Sequence, residues 1–182
     1  MEWFEQLDEN IKEKLKAIKI LLLDVDGILT DGRIIMDSDG RETKNFDVKD
    51  GHGLKVLMAK GVDVVLITGR TSGVVEHRAK DLGIKEVRQG IWNKAEIFEE
   101  ILAKRGLRPE EAVYAGDDIV DVPLMRRAGI SITVADASDH VKAVADYVTH
   151  HRGGRGGVRE ICEMILIGKG YWHDIAVKYE LK

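Results

Sequence analysis

A single cysteine, Cys162, stands among 182 residues, which excludes an intrachain disulfide and leaves no thiolate cluster for a structural zinc. No apolar run approaches the roughly 20 residues that a membrane span needs. Six histidines are present, but His150 and His151 are adjacent rather than at ligand spacing, and His52, His77, His140 and His173 form no cluster. A formal charge of -4, with basic residues spread along the chain, marks no tail or stripe for nucleic acid or membrane. Glutamine and asparagine are scarce beside lysine and glutamate, a bias found in proteins from hot environments. Together these absences predict a soluble, cytoplasmic protein that works on a small molecule, with neither nucleic acid nor membrane as partner.

What is present is a chain with 44% hydrophobic residues, long enough for one sizeable core and short for two, so residues 1–182 are expected to form a single domain. Trp3, Leu7, Ile11, Leu15 and Ile18 recur at near-helical spacing among Glu2, Glu5, Asp8 and Glu9, which predicts an amphipathic helix rather than a signal peptide. Short apolar runs follow, at residues 20–24, 62–68, 85–88, 112–116 and 130–134. They alternate with helical stretches at 53–60, 72–82, 94–104, 120–128 and 138–143. This rhythm predicts the α/β class: a doubly wound, mostly parallel sheet with helices on both faces.

Two segments break the rhythm. Residues 33 to 46 hold two short runs around Asp37-Ser38-Asp39-Gly40, whose turn chemistry predicts a β-hairpin projecting after the first strand. Later, the glycine-rich residues 153–157 separate a short strand at 147–149 from a final helix starting near Val158, and residues 169–182 form a tail. No Gly-Lys-Ser or Gly-Lys-Thr follows those glycines, so they are not read as a nucleotide loop. Cys162 shares a helical face with Val158, Ile161 and Ile165 and is expected in the core.

In an open α/β sheet, ligands bind beyond the carboxyl ends of the strands. There the first strand runs into Asp24-Val25-Asp26-Gly27, the second ends at Thr68-Gly69-Arg70, and the fourth ends at Gly116-Asp117-Asp118, with Asp121 a turn later. Lys94 opens the helix after the third. Carboxylates gathered this way repel one another, and a hard divalent ion, Mg²⁺, is the natural counter-charge. Lys94 and the Thr68 hydroxyl suit a phosphoryl group, whose approach to a carboxylate demands that negative charge be offset. Arg70, with Gly69 beside it, and Arg78 on the next helix are candidates for a planar substrate carboxylate.

Asp-x-Asp-Gly, then a Thr ending a strand, then Lys, then Gly-Asp-Asp: this ordered set resembles the haloacid dehalogenase phosphatases. The resemblance implies Asp24 as nucleophile, Asp26 as general acid and base, and Thr68 and Lys94 as phosphoryl-positioning residues. It also implies Mg²⁺ held by Asp24, the Asp26 backbone carbonyl and Asp117, with Asp121 acting through water or a hydrogen bond. Within that family the chain is similar to phosphatases of 3-deoxy-D-manno-octulosonate 8-phosphate (KDO 8-phosphate). The resemblance rests on residues 24–32, 46–51, 67–70, 116–118, 145–149, 153–156 and 158–160. Such enzymes serve the synthesis of bacterial lipopolysaccharide. Related phosphatases of nine-carbon keto acid 9-phosphates remain an alternative, as does a non-catalytic oligomeric scaffold. A phospho-receiver domain is disfavoured because Lys94 precedes Asp117. The intervals between motifs leave no room for a lid domain. The resemblance therefore implies a capless homotetramer in which each site is covered by a neighbour.

Overall fold

In the computed structural model, which describes residues 2–181, α1 (Glu2–Glu5) and α2 (Glu9–Leu15) lead into β1 (Ile20–Leu23). A small ribbon of β2 (Ile35–Met36) and β3 (Glu42–Thr43) comes next, then α3 (Val48–Ala59), β4 (Asp63–Ile67), α4 (Gly73–Leu82), β5 (Glu86–Arg88) and α5 (Lys94–Arg105). The second half runs β6 (Ala112–Ala115), α6 (Val122–Met125), β7 (Ile130–Thr133), α7 (Asp139–Lys142), β8 (Tyr147–Val148), α8 (Gly157–Gly168) and α9 (Trp172–Lys178).

Among the described residues, six strands form one sheet in the order β5-β4-β1-β6-β7-β8, every neighbouring pair parallel. The chain winds outward from β1 to β5, then returns to the other side of β1 at β6. That reversal opens a crevice at the carboxyl ends of β1 and β6. Register makes those ends level, because Leu23 pairs with both Leu66 and Ala115. All four β1 side chains are fully buried, as a parallel strand covered on both faces requires. Each contributes about 1.5–3 kcal/mol of hydrophobic stabilisation. Leu21 and Leu23 face one core layer with Leu54 and Leu57 of α3 and Ile161 and Ile165 of α8. Ile20 and Leu22 face the other, with Phe98 and Ile101 of α5 and Leu124 of α6. Cys162 lies in the first layer, as expected from its helical face.

The doubly wound parallel sheet and the hairpin are as expected; several boundaries differ. Helix α3 starts five residues earlier than its apolar pattern indicates. Asp47 caps it, accepting the backbone N–H groups of Lys49 (2.6 Å) and Asp50 (3.3 Å), and Gly51 and Gly53 mask the helix start by lowering its propensity. The N-terminal amphipathic pattern is split at Leu7 and Asp8 into two short helices, because the Asp8 side chain caps a fresh start at Asn10 (2.7 Å). The tail is not featureless: it carries α9, whose Ile175 is buried on the core and whose Asp174 pairs at 2.9 Å with Lys60, the residue that ends α3. No described helix is long and apolar enough to cross a membrane.

Candidate active site

The loop after β1 is shaped by its own backbone. The N–H groups of Ile28, Leu29 and Thr30 all donate to the Val25 carbonyl, and the Thr30 hydroxyl accepts from Gly27 (3.3 Å) and Gly32 (3.2 Å). Gly27 has φ +92°, and a Cβ there would sit 2.0 Å from a carboxylate oxygen of Asp117, so only glycine lets the β6 acidic loop lie against the β1 loop. Asp24 is fixed one rung beyond β1 by its N–H donating to the Ala115 carbonyl (2.9 Å).

Asp24, Asp26, Thr68, Gly69, Arg70, Lys94, Asp117 and Asp118 then line one open cleft of about 360 Å³, with Gly32, Ile91, Trp92 and Val120 at its walls. Lys94 is buried and donates to Asp24 (2.8 Å) and to Asp121 (2.6 Å). Burial pulls the Lys94 ammonium toward neutrality, but those two carboxylates outweigh it and hold its pKa above the usual lysine value. Asp121 is wholly buried. One of its oxygens accepts from Lys94 and the Tyr114 hydroxyl (2.6 Å), the other from the N–H groups of Asp117 (3.1 Å) and Asp118 (3.2 Å). Tyr114 stays protonated as a donor, because burial and then Asp121 push its pKa well up.

Burial raises the Asp24 carboxyl to about 6, although Lys94 opposes the rise. Burial, then repulsion from Asp24 and Asp121, raises Asp117 to about 7. One oxygen each from Asp24, Asp117 and Asp121 lies within 4.8 Å of the others. An oxygen-only, mutually repelling set of this kind fits a hard divalent cation. The four acceptor positions of Asp121 are already filled, so its place among the expected metal residues is better met by hydrogen bonding than by direct ligation. Asp26 is turned away from the cluster: its Oδ1 accepts from Lys44 at 2.5 Å and its Oδ2 lies 3.8 Å from the Arg70 guanidinium.

The profile of haloacid dehalogenase-like hydrolases matches residues 84–161. A 3-deoxy-D-manno-octulosonate 8-phosphate phosphatase of Salmonella typhi is 44% identical over 88% of this chain and 86% of its own length. The chain belongs to this phosphatase family. The Escherichia coli K12 relative of the same name is also 44% identical, over 86% of this chain and 84% of its own. Among solved structures, the Moraxella catarrhalis phosphatase of that name, in complex with magnesium ion, phosphate ion and KDO, superposes with a TM-score of 0.92. It is 41% identical, covering 94% of this chain and 98% of that one. The phosphatase described here is thus a phosphoric monoester hydrolase of haloacid dehalogenase type.

One expected site residue lies elsewhere in this phosphatase. Arg78 does not border the cleft: it donates to Asp81 (2.8 Å) and to the Asp47 carbonyl (3.3 Å), and lies over the Phe46 ring. Its position on α4 follows the helix away from the strand end that Arg70 occupies. Asp118 borders the cleft, and its Oδ1 accepts from the N–H of Ile119 (2.7 Å). Sequence reading missed Lys44, Glu42 and Ser72 around Asp26 and Arg70, and Tyr114 beneath Asp121. Glu42 accepts from Ser72 (2.5 Å) and Arg70 (3.0 Å), and Ser72 above all holds its carboxyl below the usual range. No local pattern signals Glu42 and Lys44: β3 is two residues long, Lys44 follows it, and its partner Asp26 is 18 residues away.

Proposed function

We propose that this phosphatase hydrolyses KDO 8-phosphate to KDO and inorganic phosphate through an aspartyl phosphate on Asp24, in the cytoplasm, during synthesis of the lipopolysaccharide sugar. The observation that carries the reading is the buried pairing of Asp24 with Lys94 on the floor of a cleft that also presents Asp26, Thr68 and Arg70. Asp24 attacks phosphorus as the sugar oxygen departs. Asp26 gives that oxygen a proton, then takes one from the water that cleaves the aspartyl phosphate. The Lys94 ammonium offsets charge on the phosphoryl oxygens, and the Thr68 hydroxyl and Gly69 backbone position them. Asp24, Asp117 and the Asp26 backbone carbonyl would hold Mg²⁺, which supplies Lewis-acid charge neutralisation when bound. Asp121 keeps Lys94 and the Asp117 loop in place. Arg70, at the mouth, suits the keto acid carboxylate as a planar partner.

An open cleft is a poor place to protect an acyl phosphate from bulk water. Ile34 and Met36 of the hairpin, with Trp92, Ile119 and Val120 near the cleft, are exposed apolar side chains. They support a homotetramer in which neighbours cover each site. The test of substrate is phosphate release from KDO 8-phosphate, a nine-carbon keto acid 9-phosphate and simple sugar phosphates, with and without Mg²⁺. Metal-dependent preference for KDO 8-phosphate is expected. Preference for the nine-carbon ester would replace the substrate and keep the chemistry.

A further inference from the structure

We infer that Lys44 is the positioning residue for Asp26, so that the projecting hairpin, and not the catalytic loop alone, sets the aim of the general acid and base. The inference rests on the reading of Asp26 given above.

The Lys44 side chain is 1% exposed, and its ammonium lies 2.5 Å from Asp26 Oδ1 and 3.2 Å from Glu42. It does not border the cleft, whereas Asp26 does. Lys44 therefore stands behind Asp26, seen from the cleft. An ammonium removed from water this completely persists only when paired, so its two carboxylate partners hold it as firmly as it holds them. Asp26 in turn is addressed from two sides, Oδ1 by Lys44 from the hairpin and Oδ2 by Arg70 from beyond β4 at 3.8 Å. Glu42 joins the two cations, accepting from Arg70 at 3.0 Å while Ser72, at the start of α4, donates to its other oxygen at 2.5 Å. The Asp26 carboxylate is thus oriented by a closed set of charges drawn from three parts of the chain.

The ribbon is built to deliver that set. The Asp37 carboxylate accepts from the N–H groups of Asp39 (3.0 Å) and Arg41 (2.8 Å), closing the turn, and Met36 pairs with Glu42 in register. Glu42 and Lys44 are two residues apart and their charged ends meet at 3.2 Å beside Asp26 in the loop after β1. In the reaction, the bond from phosphorus to the sugar oxygen breaks as the bond to Asp24 forms. That oxygen takes a proton that Asp26 has first taken up from solvent, which returns Asp26 to the ion-paired carboxylate. A carboxyl group free to swing off this line would lose much of the general-acid contribution, which is worth about 10²–10⁴-fold.

The experiment compares wild type with Lys44→Met, which keeps the apolar stem, and Lys44→Arg, which keeps the charge. Steady-state rates are measured on KDO 8-phosphate, and single-turnover phosphoenzyme formation is measured on p-nitrophenyl phosphate, whose leaving group needs no proton. For Lys44→Met, kcat on the sugar ester should fall roughly 10²-fold with KM changed less than about threefold. Phosphoenzyme formation from the aryl ester should stay within about threefold of wild type, and Lys44→Arg should regain at least about tenfold of the lost kcat. Equal losses on both esters, a raised KM with kcat intact, or an unchanged kcat would each overturn the inference. Should Lys44→Met fail to fold, Glu42→Gln takes its place: it loosens the second partner of Lys44 and should show the same dependence on leaving group at smaller size. A wild-type protein that forms no phosphoenzyme from the aryl ester overturns the aspartyl-phosphate reading on which the role of Asp26 rests. An active wild type without the leaving-group pattern overturns only the role of Lys44.

Discussion

Asp117 and Asp24 hold their protons far more tightly in the folded protein than free carboxyls do, at about 7 and about 6 against a usual 3.8. Both folded values are raised, so the native state binds more protons than the unfolded chain between these limits. The stability they lend is complete below about pH 4 and is lost as pH rises through about 6 to 7. Metal-free protein should therefore show a falling Tm from about pH 4 to about pH 7. Mg²⁺ should restore it most at the upper end. Asp117→Asn, which removes one repelling charge, should raise the metal-free Tm near pH 8 by about 4 °C, equivalent to about 1–2 kcal/mol, while abolishing metal-dependent turnover. Thermal melts with and without chelator check this; a metal-free Tm that rises with pH would refute it. The residues concerned were legible in the sequence because each follows directly on an apolar strand run. Lys44 was not, since its partner lies 18 residues away and it follows a strand of two residues, too short to display an alternation.

At the scale of elements, the glycine-rich arm before α8 has a structural task that its composition only hinted at. Gly154 donates to the Ile28 carbonyl (2.9 Å), and a Cβ on Gly153 would collide with the Gly27 carbonyl oxygen at 1.7 Å, so the arm presses on the catalytic loop from behind. Asp50 of α3 anchors it from the other side, accepting from the N–H groups of Arg159 (2.7 Å) and Gly156 (3.3 Å) at the start of α8. A carboxylate at a helix N-terminus satisfies donors that otherwise lack partners. Asp50→Ala leaves those donors buried and should cost about 1–3 kcal/mol, with a loss of kcat as the loop loosens. Urea unfolding and steady-state kinetics on the variant are the check; unchanged stability would mean the arm stands without its anchor. Sequence pattern placed β1, β4, β6 and β7 because buried parallel strands read as apolar runs, whereas the half-buried β5 and β8 at the sheet edges carry less of that signal. It did not place α9, a helix of seven residues that buries only Ile175 and leaves Val177 exposed, too short for a helical period to show.

The whole molecule places its chemistry where the strand order reverses and leaves that crevice uncovered. Exposed apolar side chains on the hairpin and near the cleft give a second copy something to bury, so sedimentation at working concentration should report a tetramer. Met36→Glu should shift it toward monomer and depress activity. A monomeric wild type with full activity would contradict the covering of one site by its neighbour. The central claim, an aspartyl phosphate on Asp24, is tested most directly by acid-quenching the enzyme during turnover of KDO 8-phosphate with Mg²⁺ and mapping the phosphorylated peptide. A labile phosphoryl group on Asp24, absent from Asp24→Asn, is the predicted result; phosphate release with no acyl phosphate on that residue would contradict the account.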